Sequence, residues 1–254
     1  MSHQETYRHN EAYAEFLANW DANFYAKYAD YLNPGKAGAR VLDVGCGAGQ
    51  VVGRLTEAGV EAHGVDVSEP NIEKARRFSS RCQLYDGTKL PFPDRFFASA
   101  GALNVLEHVE QPEAFIPELV RVVEPGGRIV LSSPNFFRVF GFRDYHPKMR
   151  GLSNKWLNWQ RLSEKRHLMK TDPDAVRFDR MTPIVKEPFT PDDDAIIATN
   201  ALEMEFFLNR ADCKVESVFC TDRYVAKAID FILNLTPTRY LMFNSFVVAR
   251  RKMR

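Results

Sequence analysis

Three glycines alternate at positions 45, 47 and 49, between a Val41-Leu42-Asp43-Val44 run and a helical pattern. An aliphatic run, a tight glycine turn and a helix start let a ligand approach the backbone, because glycine adopts positive φ and has no Cβ to hold the ligand off. The N–H groups of a helix start favour electron-rich atoms of such a ligand. Asp43 closes the run before the glycines, and Asp66 closes the next one, in Val65-Asp66-Val67. Two histidines are candidates for moving a proton. His108 lies in Leu106-Glu107-His108-Val109, just past a fourth apolar run. His146 lies in Arg143-Asp144-Tyr145-His146-Pro147, beside a carboxylate able to orient it. An imidazole with a reference pKa of ~6.5 takes up a proton near neutrality. The plainer role for His108 is packing against its loop, and for His146 a solvent-facing turn. Cys46, between two of the glycines, is read as a small side chain rather than a nucleophile.

The elements that must position these groups alternate along the chain. Strands are expected at 41–44, 61–67, 83–85, 97–103 and 128–132, with helices at 50–58, 68–78 and 117–123 between them. That spacing is the one of right-handed βαβ units and a mostly parallel sheet. Residues 11–32 place Tyr13, Phe16, Leu17, Trp20, Phe24, Tyr28 and Tyr31 three and four apart, the period of an amphipathic helix, broken once at most. Pro125-Gly126-Gly127 is expected to close a helix. After Pro134 periodicity fades, then returns with a helix at 195–210, a strand at 214–220 and an apolar run at 241–249. A chain of 254 residues with 45% hydrophobic and 26% charged residues and a net charge of +1 is of ordinary globular composition. Near-zero charge argues against a global pull toward nucleic acid or membrane. Without a signal-like N-terminus, and with four cysteines lacking Cys-x-x-Cys spacing, the chain reads as cytoplasmic, with reduced thiols and no metal site.

The spacing Asp43-x-Gly45-x-Gly47-x-Gly49 departs from the dinucleotide fingerprint, whose third glycine would fall at Gln50. It resembles motif I of the class I S-adenosylmethionine-dependent methyltransferases. Asp66, Asp86-Gly87 and the Arg121-Val122-Val123-Glu124-Pro125-Gly126-Gly127 run follow in that family's order, and Asn104-Val105-Leu106-Glu107-His108 resembles its small-molecule, ubiquinone- and menaquinone-pathway subgroup. The resemblance covers about residues 38–134. It implies a single doubly wound α/β domain with a seven-stranded, mostly parallel, Rossmann-like sheet. The parts would be an N-terminal helical cap (1–35), a cofactor-binding core (38–134), a lid inserted after the fifth strand (135–195) and a C-terminal part of the sheet (196–254). It further implies that Asp43, Gly45, Cys46, Gly47, Gly49, Asp66, Val67, Asp86, Gly87 and Asn104 hold S-adenosyl-L-methionine. Asp66 would accept the ribose hydroxyls and Asp86 would meet the adenine amino group. Asp66 could instead cap the following turn, Asp86 could form a turn with Gly87, and Asp43 could order the glycine loop. In this family N-terminal helices often close over the cofactor, so Trp20, Tyr25 or Tyr28 could reach its methionine end or simply pack on the sheet.

The resemblance implies methyl transfer to a small-molecule acceptor, with O-methylation favoured by His108 and His146. Residues 135–170 carry nine Lys or Arg among aromatic residues, which suggests an anionic or flat acceptor held by Arg138, Arg143 and Tyr145. The stretch 171–200 reverses the charge, so the two halves could also neutralise each other. The rivals are an RNA or protein methyltransferase and a catalytically silent cofactor binder.

Overall fold

Aliphatic runs that alternate with amphipathic segments bury both faces of one sheet. The computed structural model describes residues 3, 5–141, 144, 146–184, 192–235 and 237–253. Its elements in chain order are α1 (Glu5–Arg8), α2 (Glu11–Ala18), α3 (Ala26–Leu32), β1 (Arg40–Val44), α4 (Gln50–Glu57), β2 (Glu61–Asp66), α5 (Glu69–Ala75), β3 (Cys82–Leu84), β4 (Phe97–Leu103), α6 (Pro112–Arg121) and β5 (Val123–Pro134). They continue with α7 (Gly151–Thr171), β6 (Asp179–Arg180), β7 (Ile197–Ala198), α8 (Ala201–Arg210), β8 (Cys213–Phe219), α9 (Lys227–Leu233), α10 (Thr238–Leu241) and β9 (Asn244–Arg251). Seven strands form one sheet in the order β3-β2-β1-β4-β5-β9-β8. β1 to β5 pair in parallel, and β9 lies antiparallel between β5 and β8.

In β1, Val41 packs in a cluster with α3, α4 and α5, while Leu42 and Val44 join α6 and α8 in another. This alternation explains why the strand is apolar throughout: both faces are covered, as parallel sheets require. The amphipathic stretch 11–32 is α2, a 3-10 turn over Ala22–Tyr25 and α3. Asn10 accepts from the Tyr13 N–H and Asp21 from the Asn23 N–H, so a second capping residue restarts the chain inside the period. The sixth helix begins at Pro112 rather than 117, and Pro117 lies inside it. Pro125-Gly126-Gly127 does not close a helix; it is a bulge within β5. Phe97 faces Val123, and the register then jumps to Ser99 opposite Arg128. A Cβ on Gly127 would stand 2.6 Å from Val123 Cγ1, so only glycine fits that bulge.

The segment after β5 has its own small core, with Phe136, Phe137, Met149 and Leu162 buried together. Asn158 of α7 donates to the carbonyls of Phe136 and Arg138. Lys165 donates to the buried Glu203 of α8 at 2.5 Å. Among the described residues no helix is long and apolar enough to cross a membrane.

Gly49 joins α4 to α5. Its φ is +91°, and a Cβ there would lie 2.7 Å from Ala75 Cα. Gly49→Ala is expected to lose about 2–4 kcal/mol through backbone strain and overpacking, read as a lower urea midpoint.

Candidate active site

The parallel strands β1, β2 and β4 end at one edge of the sheet, where open α/β sheets bind their ligands. A cleft opens there. The β1–α4 turn contributes Asp43, Gly45, Cys46 and Gly47, and the loops after β2, β3 and β4 contribute Asp66, Val67, Tyr85, Asn104 and Val105. The N-terminal segment lays Tyr7, Tyr13, Phe16, Leu17, Trp20 and Tyr25 over these groups, and His108, Asp192 and Asp194 complete the lining.

The glycine turn is held by its own amides. The Gly45 and Cys46 N–H groups donate to Val65 O (2.7 and 3.0 Å), and the Gly49 N–H donates to Cys46 O at 3.0 Å. The Gly47 N–H donates to Asp66 Oδ2 at 2.9 Å. These loop amides, which precede the α4 start, are spent on locking the turn, and the missing side chains at 45 and 47 let Val105 and Leu17 pack against it. A Cβ on Gly45 would lie 2.2 Å from Val105 Cγ2, and one on Gly47 would lie 3.3 Å from Leu17 Cδ1. Gly49 lies outside the cleft, because its backbone is taken up by α5.

Asp66 is buried. Its Oδ1 accepts from the Ser68 N–H at 2.8 Å, so it orders the next turn as well as the glycine loop. Oδ1 also accepts from Asn71 Nδ2 at 3.4 Å, which leaves the further lone pair on Oδ2. Burial raises its pKa, while the Ser68, Gly47 and Asn71 hydrogen bonds pull it back. Asn71 also lines the cleft, and its Oδ1 is buried with no hydrogen-bond partner. An acceptor left unpaired in a buried position fits a hydroxylated ligand. Asp43 is buried and accepts from the Tyr28 hydroxyl at 3.0 Å. Burial pushes it up to about 7 against that hydrogen bond, with Asp66 adding to the rise. Of the three N-terminal aromatics, Trp20 and Tyr25 reach the cleft, whereas Tyr28 is fully buried against Asp43. Asn104 has φ +52°, and its N–H is held by Ser132 O at 2.8 Å.

Other expected residues lie elsewhere. Asp86 is exposed and accepts from the Thr88 and Lys89 N–H groups. It and Gly87 form a turn, and Tyr85 faces the cleft in their place. His146 is buried beside the Phe136 ring, and its Nδ1 accepts from the Lys148 N–H. It belongs to the core of the inserted segment, outside the cleft. Arg138 is also buried there, donating to Phe243 O at 2.6 Å and standing 3.5 Å from Asp144. Arg143 and Tyr145 lie outside the described residues. Cys46 and Val67 line the cleft as expected, the thiol facing Gly47 O.

His108 lies in a 3-10 turn, Leu106–His108, closed by β4 and α6. Burial lowers its pKa, Asp194 opposes that, and His3 reinforces it. Glu107 beside it is fully buried; Ser133 donates to its Oε2 at 2.7 Å. Burial, with Asp192 close by, raises that carboxyl well above the usual range. One atom each of Glu107, His108 and Asp192 lies within 4.8 Å of the others. Glu107 Oε2 is held by Ser133, its Oε1 is buried without a hydrogen-bond partner, and His108 Nδ1 faces Tyr7, so the trio is a close cluster of acids and an imidazole. In the sequence Asp192 and Asp194 stand only as two of the acidic residues by which 171–200 reverses the charge. No spacing in the sequence ties them to residue 108; the link is spatial, through the Ile196 N–H bonded to Glu107 O at 2.9 Å.

Among the described residues, the lining holds Asp43, Asp66, Asp192 and Asp194 and neither Lys nor Arg. Such a surface suits a cationic ligand. A glycine loop packed closely by Val105 and Leu17, a carboxylate and an orphaned amide oxygen able to meet hydroxyls, and an aromatic cover come together in this one cleft. Residues 42–131 match the family model of the methyltransferase domain. The match covers this core alone, and it shows a likeness of residues 42–131 to the methyltransferase domain. It is 34% identical over 108 residues to 27-O-demethylrifamycin SV methyltransferase of Amycolatopsis mediterranei, covering 39% of this chain and 40% of that one. It is 32% identical over 133 residues to ubiquinone biosynthesis O-methyltransferase of Dechloromonas aromatica, covering 46% and 57%. The chain thus spans about half the length of these curated relatives. The S-adenosylmethionine-dependent methyltransferase of Mesorhizobium loti shares the fold, with a TM-score of 0.56 and 17% identity over 90% of this chain and 98% of that one.

Asp66→Ala is expected to weaken S-adenosylhomocysteine binding at least tenfold by calorimetry. It should also cost about 1–3 kcal/mol, because the Gly47 and Ser68 N–H groups lose their acceptor. Asp43 yields a pH effect. Its folded pKa stands above the unfolded value, so its contribution to stability is full below about pH 4 and is lost as pH rises to about 7. Asp43→Asn should flatten urea midpoints across that window.

Proposed function

We propose that this chain transfers the methyl group of S-adenosylmethionine to an oxygen of a small neutral or cationic acceptor, with His108 taking the acceptor's proton. The observation that carries this reading is the union, in one cleft, of the glycine loop with Asp66 and a half-buried imidazole. When bound, S-adenosylmethionine supplies a methyl already activated by its sulfonium. The protein's work is positioning, drying and deprotonation, and good positioning alone is worth ~7–11 kcal/mol. Asp66 and Asn71 hold hydroxyls, and the turn at Gly45 and Gly47 lets the ligand lie close. Tyr13, Phe16 and Trp20 keep water out. Burial keeps His108 neutral near pH 7, and so able to accept a proton.

Oxygen as the accepting atom is supported by the two relatives named as acting on oxygen. The carboxylate-rich lining favours a neutral or cationic acceptor over the anionic one suggested by the basic insertion, whose Arg138 is committed to Asp144 and Phe243.

Calorimetry with S-adenosylmethionine and S-adenosylhomocysteine tests the cofactor. Release of S-adenosylhomocysteine with a panel of phenols, alcohols and amines tests the reaction. His108→Gln should lower kcat by ~10²–10⁴-fold, with S-adenosylhomocysteine affinity within threefold of the parent. Lack of binding would overturn the reading, and turnover abolished by ribonuclease would move it to RNA.

A further inference from the structure

The hydroxyl of Tyr7, from α1, meets three groups of the cleft. It donates to Asp194 Oδ2 in a very short contact. It lies 3.2 Å from His108 Nδ1 and 3.2 Å from His3 Nε2. The His3 ring stacks on His108, with centroids 6.0 Å apart and planes at 15°. A phenol has one proton and two acceptor lone pairs. With the proton committed to a carboxylate, the stronger charge-assisted acceptor, the phenolic oxygen can only accept from the two imidazoles. On this pairing His108 carries its hydrogen on Nδ1, with the Asp194 backbone carbonyl as a further acceptor beside the ring. In a neutral ring that leaves Nε2 bare.

We propose that Tyr7 is a positioning residue: held by Asp194, its hydroxyl fixes His108 in the Nδ1–H form and so leaves Nε2 as the atom that takes the acceptor's proton. This rests on the reading of His108 as the base. When Nε2 gains the acceptor's proton, the ring becomes an imidazolium whose Nδ1–H still points at Tyr7, and the Asp194 carboxylate stabilises the new charge through the phenol. No proton leaves Tyr7 or Asp194. Burial and Asp194 hold the Tyr7 pKa far above its ordinary value, so it stays protonated throughout. The charged or titratable groups facing His108 are Tyr7 and His3 from the N-terminal segment, Glu107 from its own turn, and Asp192 and Asp194 from the segment before β7.

The tautomer can be read without any acceptor. Long-range proton–nitrogen spectra of the ¹⁵N-labelled full chain distinguish Nδ1–H from Nε2–H, and His108→Gln identifies the His108 signals. The native chain should show Nδ1–H. Tyr7→Phe removes the hydroxyl alone and should give a mixture rich in Nε2–H. In Asp194→Asn the new amide donates to the phenolic oxygen, the Tyr7 proton turns to Nδ1, and Nε2–H should dominate, the same logic by which an amide in place of a triad carboxylate imposes the wrong tautomer. Retained S-adenosylhomocysteine affinity certifies each variant as folded. With an acceptor in hand, Tyr7→Phe should lower kcat at least tenfold with KM within threefold. Native His108 found as Nε2–H overturns the proposal. So does an unchanged tautomer in either folded variant. Failure to turn over any acceptor with the spectra as expected would sink the methylation reading and leave the tautomer assignment standing.

Discussion

A single carboxylate holds the two turns on which this cleft depends. Asp66 ends β2, yet its Oδ2 is spent on the Gly47 N–H, one loop away, and its Oδ1 on the Ser68 N–H that opens α5. The glycine turn, with φ of +69° at Gly45 and +52° at Gly47, is tied across the β1–β2 pair by that bond and by two donors to Val65 O. A loop of high intrinsic entropy is thereby fixed before any ligand arrives. The shape of the turn is then a property of the resting protein, and on the proposed reading the lone pair left on Oδ2 is what a sugar would meet.

Much of this was legible in the residues. β1 and β4 were readable to within a residue because a doubly covered strand must be apolar throughout, and Asp43, Asp66 and the glycines marked where it stops. The mostly parallel core followed from the alternation of strand and helix and the seven-stranded sheet from the resemblance, whereas the order β3-β2-β1-β4-β5-β9-β8 was written in neither. Less legible was whatever depends on contact rather than period. Asp86 and Asp66 are each an acid at the end of a strand, and nothing local distinguishes the one that turns into the cleft from the one that bonds its own Thr88 and Lys89 amides. Pro125-Gly126-Gly127 signals a turn in any context, and only the pairing of Phe97 with Val123 makes it a bulge. Tyr7 and Asp194 carry no signal at all, because 187 residues separate two groups that meet through a hydrogen bond.

The inserted segment shows how composition misleads when charges are counted without partners. Four of its basic residues are held in ion pairs: Arg138 and Lys155 on Asp144, Arg161 and Lys165 on Asp179, and Lys165 again on Glu203 of α8. Pairs of this kind brace α7 against the rest of the segment and leave little cationic field for a ligand. The acidic stretch that looked like counterweight instead turns Asp192 and Asp194 toward His108. The cleft is therefore negative where the segment's sequence is positive.

The aromatic cover and the group that orients the imidazole belong to one short stretch of chain, since Tyr7, Tyr13, Phe16 and Trp20 follow one another within α1, α2 and the residues beside them. Displacing that stretch would carry Tyr7 away from His108 together with the rings, so that on the proposed reading the cover and the proton acceptor are coupled.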